Sequence, residues 1–61
     1  MALVMRWHKY PNNALRWIPV QIHCRNGRVE LWERKEEPTL MFEGTAALFK
    51  SLIDRDYIRD V

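Results

Sequence analysis

Asn26-Gly27 sits between two runs in which apolar and polar residues alternate, Ile18 to Arg25 and Arg28 to Arg34. A type I′ hairpin turn needs φ > 0 at both central residues, and Asn followed by Gly supplies this at the least steric cost. The two-residue turn sets Arg25 opposite Arg28, Cys24 opposite Val29, His23 opposite Glu30, Ile22 opposite Leu31, Gln21 opposite Trp32 and Val20 opposite Glu33. Side chains alternate across a strand. One face therefore collects Ile18, Val20, Ile22, Cys24, Val29 and Leu31. The other collects Trp17, Gln21, His23, Arg25, Arg28, Glu30, Trp32 and Arg34. A slip of one residue would scramble this sorting, so turn and pattern agree on one register.

The remaining elements are placed around this hairpin. Ala2 to Tyr10 reads as a first strand, with Leu3, Met5 and Trp7 on one face and Val4, Arg6, His8 and Tyr10 on the other. Pro11-Asn12-Asn13 is a turn that makes it an antiparallel neighbour of a second strand, Leu15 to Arg25. Pro19 cannot donate to a ladder, so it calls for an outer edge, a bulge, or pairing that begins only at Val20. The third strand, Arg28 to Arg34, ends in the charged turn Lys35-Glu36-Glu37-Pro38, and Thr39 to Phe42 forms a short fourth. Thr45 suits a helix N-cap, with Glu43 beside the positive helix end. Leu48, Phe49, Leu52 and Ile53 then make an apolar helical stripe from Ala46 to at least Ile53, with Lys50, Ser51, Asp54 and Arg55 towards solvent. Asp56-Tyr57-Ile58 is either a last turn or a short extension. The expected fold is a single α+β domain over residues 1–61. It is a three- or four-stranded antiparallel meander packed against one C-terminal helix, with Ile18, Val20, Ile22, Val29, Leu31, Leu48, Phe49, Leu52 and Ile53 as most of the core.

Size and composition narrow the function classes. A chain of 61 residues buries only roughly 60% of its unfolded surface, and domains this small usually depend on a staple, a partner or close packing. The single cysteine, Cys24, permits no intramolecular disulfide, and Cys24 with His8 and His23 falls short of a four-ligand zinc site. No metal and no cofactor is expected. A lone thiol suits a reducing compartment. Arg6, His8 and Lys9 interrupt the apolar start before a signal peptide or span can form, so a cytoplasmic protein without membrane contact is expected. Ser51 is the only serine and falls on the solvent side of the helix. Cys24 alternates onto the apolar face as a small buried hydrophobe, away from His23. Glu36-Glu37 lies on a solvated turn, and the two glycines form no phosphate loop. No catalytic residues and no small-molecule substrate are expected, and the chain is not read as an enzyme.

Charge gives the positive indication. Residues 1–28 contain five Lys or Arg and no Asp or Glu, a net +5, whereas residues 29–61 sum to −3. Such asymmetry points to an anionic partner or to a second copy meeting head to tail. Arg25 opposite Arg28 puts like charges at the hairpin tip, where they splay into water or meet phosphate. Aromatic rings interleave with these cations, as suits stacking on bases and clamping of a backbone. The leading expectation is a non-catalytic nucleic-acid-binding module, for DNA or RNA. Arg6, Lys9, Arg16, Arg25, Arg28 and Arg34 would contact phosphates, and Trp17, His23 and Trp32 bases or sugars. The order of three strands and then an amphipathic helix, over Leu15 to Ile53, is similar to that of the plant AP2-type and integrase arm-type DNA-binding domains. That resemblance implies a sheet laid in the major groove with the helix behind it. The alternative is a protein-interaction module: a small inhibitor, an adaptor or a subunit of a homodimer. Its warrant is the tryptophan and methionine content and the marginal size, with Trp7, Trp17 and Trp32 in a core or interface.

Overall fold

The computed structural model describes residues 2–9 and 11–61, with all of their side chains except that of Lys9. Tyr10, read from sequence as part of the first strand, lies outside them, as does Met1. Five strands and one helix follow in the order β1 Leu3–Lys9, β2 Ala14–Arg25, β3 Arg28–Glu33, β4 Thr39–Thr45, α1 Ala46–Asp54 and β5 Ile58–Asp60. They form one antiparallel sheet in the order β4-β3-β2-β1-β5 with α1 on one face. The α+β class is as expected. The helix is not the last element, however. Asp56-Tyr57-Ile58 leads into a fifth strand, which pairs with β1 through Leu3↔Asp60, Val4↔Arg59 and Met5↔Ile58. Backbone bonds continue that pairing at both ends, from Arg6 N–H to Tyr57 O (2.7 Å) and between Ala2 and Val61 in both directions (3.0 and 2.7 Å). The order of three strands and then a helix holds over β2, β3, β4 and α1, but β1 and β5 widen the sheet to five strands.

The hairpin has the register that its turn chemistry dictates. Asn26 and Gly27 take φ of 50° and 75°, and the six pairs from Val20↔Glu33 to Arg25↔Arg28 are those deduced from sequence. Pro19 lies inside the central strand, not on an edge. Its carbonyl accepts from Arg34 N–H at 2.9 Å, so its nitrogen faces the β3 side, where β3 has already ended at Glu33. The missing donor falls at the end of a ladder and leaves no gap within it. Between Leu31↔Phe42 and Trp32↔Leu40 the β3–β4 register shifts by one residue. The bulge leaves Met41 without an opposite number, and Met41 and Phe42 both pack against the core.

Among the described residues, six apolar side chains are buried: Met5, Ile18, Val20, Val29, Leu31 and Ile58. Phe49 and Leu52 of the helix pack on them, together with Leu3, Met41 and Phe42. Three residues expected in the core are outside it: Ile22 is 37%, Leu48 55% and Ile53 45% exposed. Cys24, expected to be a buried hydrophobe, is exposed as well. For Ile22 and Cys24 the reason is length. A helix of nine residues spans about 14 Å, whereas five strands span about 19 Å. Running from the end of β4 over β3 to β5, α1 leaves the β2 side of the hairpin tip uncovered. Met5 and Ile58, not assigned to the core from sequence, belong to it.

Candidate nucleic-acid interface

The face opposite α1 has no covering element among the described residues. Alternation and register place on it Arg59 of β5, Val4, Arg6 and His8 of β1, and the β2 row Leu15, Trp17, Pro19, Gln21, His23 and Arg25. Arg28, Glu30 and Trp32 of β3 and Leu40, Glu43 and Thr45 of β4 complete it. Two aromatic groups stand on this face, one at each side of the sheet.

The first spans β5, β1 and β2. The Arg59 guanidinium lies 4.4 Å from the centre of the Trp17 ring, and that of Arg6 lies 4.3 Å from the centre of the Tyr57 ring. Arg6 and Trp17 are direct cross-strand partners. Stacking of this kind is favoured by the negative face of the ring. Asp56 fixes Arg59 with two bonds, from Nε to Oδ1 at 2.8 Å and from Nη2 to Oδ2 at 2.6 Å. The Arg59 hydrogen bond and charge, aided by the charge of Arg6, hold the Asp56 carboxyl below its ordinary value. The Nε of Arg6 is buried without a hydrogen-bond partner among the described residues.

The second group lies on β2 and β3. Trp32 is opposite Gln21 and diagonal to His23, its ring centre 6.2 Å from that of His23 at a tilt of 38°. Its Nε1–H donates to Glu30 Oε1 at 3.1 Å, which holds the indole in one orientation. The turn chemistry sets Glu30 opposite His23 across the strands. The register is as expected, but the carboxylate takes the indole N–H. Gln21, His23, Trp32 and Pro38 line a shallow, largely apolar cavity of about 370 Å³. Pro38 comes from the turn after β3, and His23 from the row nearer the hairpin tip.

Of the nine residues assigned to binding from sequence, Arg6, Trp17, His23, Arg25, Arg28 and Trp32 share this open face. Arg16 does not. It pairs with Trp7 on the side of the sheet that carries the helix. Trp7, 36% exposed, is on that side too, so the three tryptophans do not form one surface. Arg34 lies just past β3 and is exposed, and Lys9 is opposite Ala14 in the ladder, its side chain outside those described. Arg28 is 3.5 Å from Glu43, which belongs to β4 and not to the first turn of the helix. The sequence-level charge asymmetry does not become a basic pole. β1 and β2 are the inner and central strands, and the acidic half of the chain flanks them on both sides as β3, β4 and β5.

Three contributors were not identified from sequence. Arg59 and Tyr57 reach this face only because β5 pairs with β1, and Pro38 only because the turn folds back beside Trp32. No local pattern announces any of them. No family model matches the chain, and neither a curated protein nor a solved structure matches it.

Proposed function

We propose that this chain is a small non-catalytic nucleic-acid-binding module that uses the open face of its sheet. The observation that carries the reading is the placement of both aromatic groups, Trp17 with Arg59 and Tyr57 with Arg6, and Trp32 with His23, on the one face that no helix covers. Indole rings offer stacking surface to bases, and an arginine without a carboxylate partner, such as Arg25, offers forked donors to phosphate. Arg25 and Arg28 at the tip extend the cationic row. Phosphate contacts supply affinity and position, while ring and amide contacts supply any preference among bases.

Tryptophan fluorescence, titrated with single-stranded DNA, duplex DNA and RNA at low and near-physiological salt, tests this. Quenching with an affinity that falls steeply with salt is expected, and Arg25→Ala with Arg28→Ala should lower the salt slope by about 1–2. Absence of binding at low salt, where charges are least screened, refutes the proposal.

One observation favours a second reading, a protein-interaction module or homodimer subunit. β4 is an edge strand that pairs only with β3, and an open strand edge is a template for another strand. Light scattering separates the two: a stable dimer without affinity for nucleic acid supports the second.

A further inference from the structure

We infer that the cavity beside Trp32 is a base-binding slot, and that the partner of the open face is therefore single-stranded nucleic acid and not duplex. This rests on the nucleic-acid reading above and adds to it a site and a ligand class.

The cavity is walled by flat or rigid groups: the indole of Trp32, the imidazole of His23 and the ring of Pro38. Their surfaces suit a planar aromatic ring. Trp32 is held by its bond to Glu30, so little rotamer freedom is lost when a ring stacks on it. The one polar side chain in the lining besides His23 is Gln21, exposed and without a hydrogen-bond partner among the described residues. A carboxamide presents one acceptor and one donor group, the complement of the edge of a nucleobase. A base inside a duplex has both faces stacked and this edge paired, and it reaches such a slot only when extruded. An unpaired base enters without that cost.

Arg25, which makes no ion pair among the described residues, favours a nucleotide over an aromatic side chain as occupant, while Arg28 is already 3.5 Å from Glu43. Arg25 and Arg28 lie two residues beyond His23 and Glu30 on the same face. Two residues of strand are about 7 Å, a distance at which a guanidinium meets the phosphate next to a bound base. Glu30 opposes this, since its carboxylate stands beside the slot. A modest affinity follows, set by stacking as much as by charge.

The test is anisotropy of end-labelled octanucleotides of dT, dC, dA and dG, and of one duplex, against the 61-residue chain at two salt concentrations. Single strands should bind more tightly than duplex. Trp32→Leu should weaken single-strand binding roughly tenfold or more. Gln21→Ala and His23→Ala, both at exposed positions, should weaken it less, with Gln21→Ala changing the ranking of the four bases. Glu30→Gln keeps an acceptor for the indole and removes the charge, so it should tighten binding at low salt and leave it unchanged at high salt. If the Arg25 and Arg28 variants weaken binding while the Trp32, Gln21 and His23 variants all match the parent, the slot is refuted and the nucleic-acid reading stands. If duplex binds as tightly as single strands, the ligand class is refuted. If no oligonucleotide binds at low salt, both fall, and the slot is left to a side chain of a protein partner.

Discussion

Gly44 is buried in β4, and the ring of Phe42 uses the space that a side chain would fill. A Cβ there would lie 2.8 Å from Phe42 Cζ and 3.3 Å from Leu48 Cδ1. Gly44→Ala should therefore push the Phe42 ring off its place in the core and destabilise the fold by about 1–3 kcal/mol in urea unfolding. Asp56 is a second residue with a specific role. It takes φ of 63°, where most side chains are strained and Asn and Asp are tolerated, and its carboxylate grips Arg59. A carboxyl whose folded pKa is depressed stabilises the fold above its unfolded value and loses that contribution as the pH falls through the folded one. Asp56→Asn keeps the backbone geometry and removes the charge. The urea midpoint of the variant should lie below that of the parent at pH 7, and the two should converge once the pH falls well under 3.8, the ordinary value.

At the scale of elements, the helix has two well-formed ends of different legibility. Thr45 is extended and its hydroxyl accepts from Leu48 N–H at 3.2 Å, as its position after a strand suggested. Thr45→Ala should cost about 1 kcal/mol and Thr45→Ser much less, measured by thermal unfolding. The other end closes with bonds from Asp56 N–H to Ile53 O (3.0 Å) and from Tyr57 N–H to Leu52 O (2.9 Å), a Schellman turn built on Asp where Gly is usual. Without Gly or Pro to mark it, the end of the helix and the start of β5 could not be read. The β2–β3 hairpin was legible down to individual pairs, because a left-handed turn and a two-residue period constrain the same register. The same alternation placed Trp17, His23, Arg25, Arg28 and Trp32 on one face correctly. It could not place Arg59 or Pro38, which arrive there through tertiary connections, nor show that a nine-residue helix would leave Ile22 and Cys24 uncovered.

For the whole molecule, one helix on a five-stranded sheet makes a single-sided core. The radius of gyration, 11.6 Å, exceeds the about 10.5 Å expected for a compact chain of this length, as a sheet with one bare face requires. Among the described residues, no helix is long and apolar enough to cross a membrane. With so thin a core, each buried side chain carries a large share of a total stability of roughly 3–9 kcal/mol. Ile58, 3% exposed, ties β5 to that core. Ile58→Ala should lower the midpoint of thermal unfolding by 10 °C or more, or abolish a cooperative transition, as followed by circular dichroism. Ile53→Ala, at an exposed position, should move it by only a few degrees.

The pairing of β1 with β5 also bears on how the chain is made. During synthesis the β2–β3 hairpin has all its residues once Glu33 has emerged, and β1 can join it at once. The outer edge of β1 at Leu3, Val4 and Met5 has no partner until Ile58 to Asp60 are added. Through all of that interval a nascent chain displays an unpaired, largely apolar strand edge, the feature on which neighbouring chains aggregate. Three inconspicuous residues, Ile58 to Asp60, thus decide whether the Leu3–Met5 edge of β1 is protected or exposed.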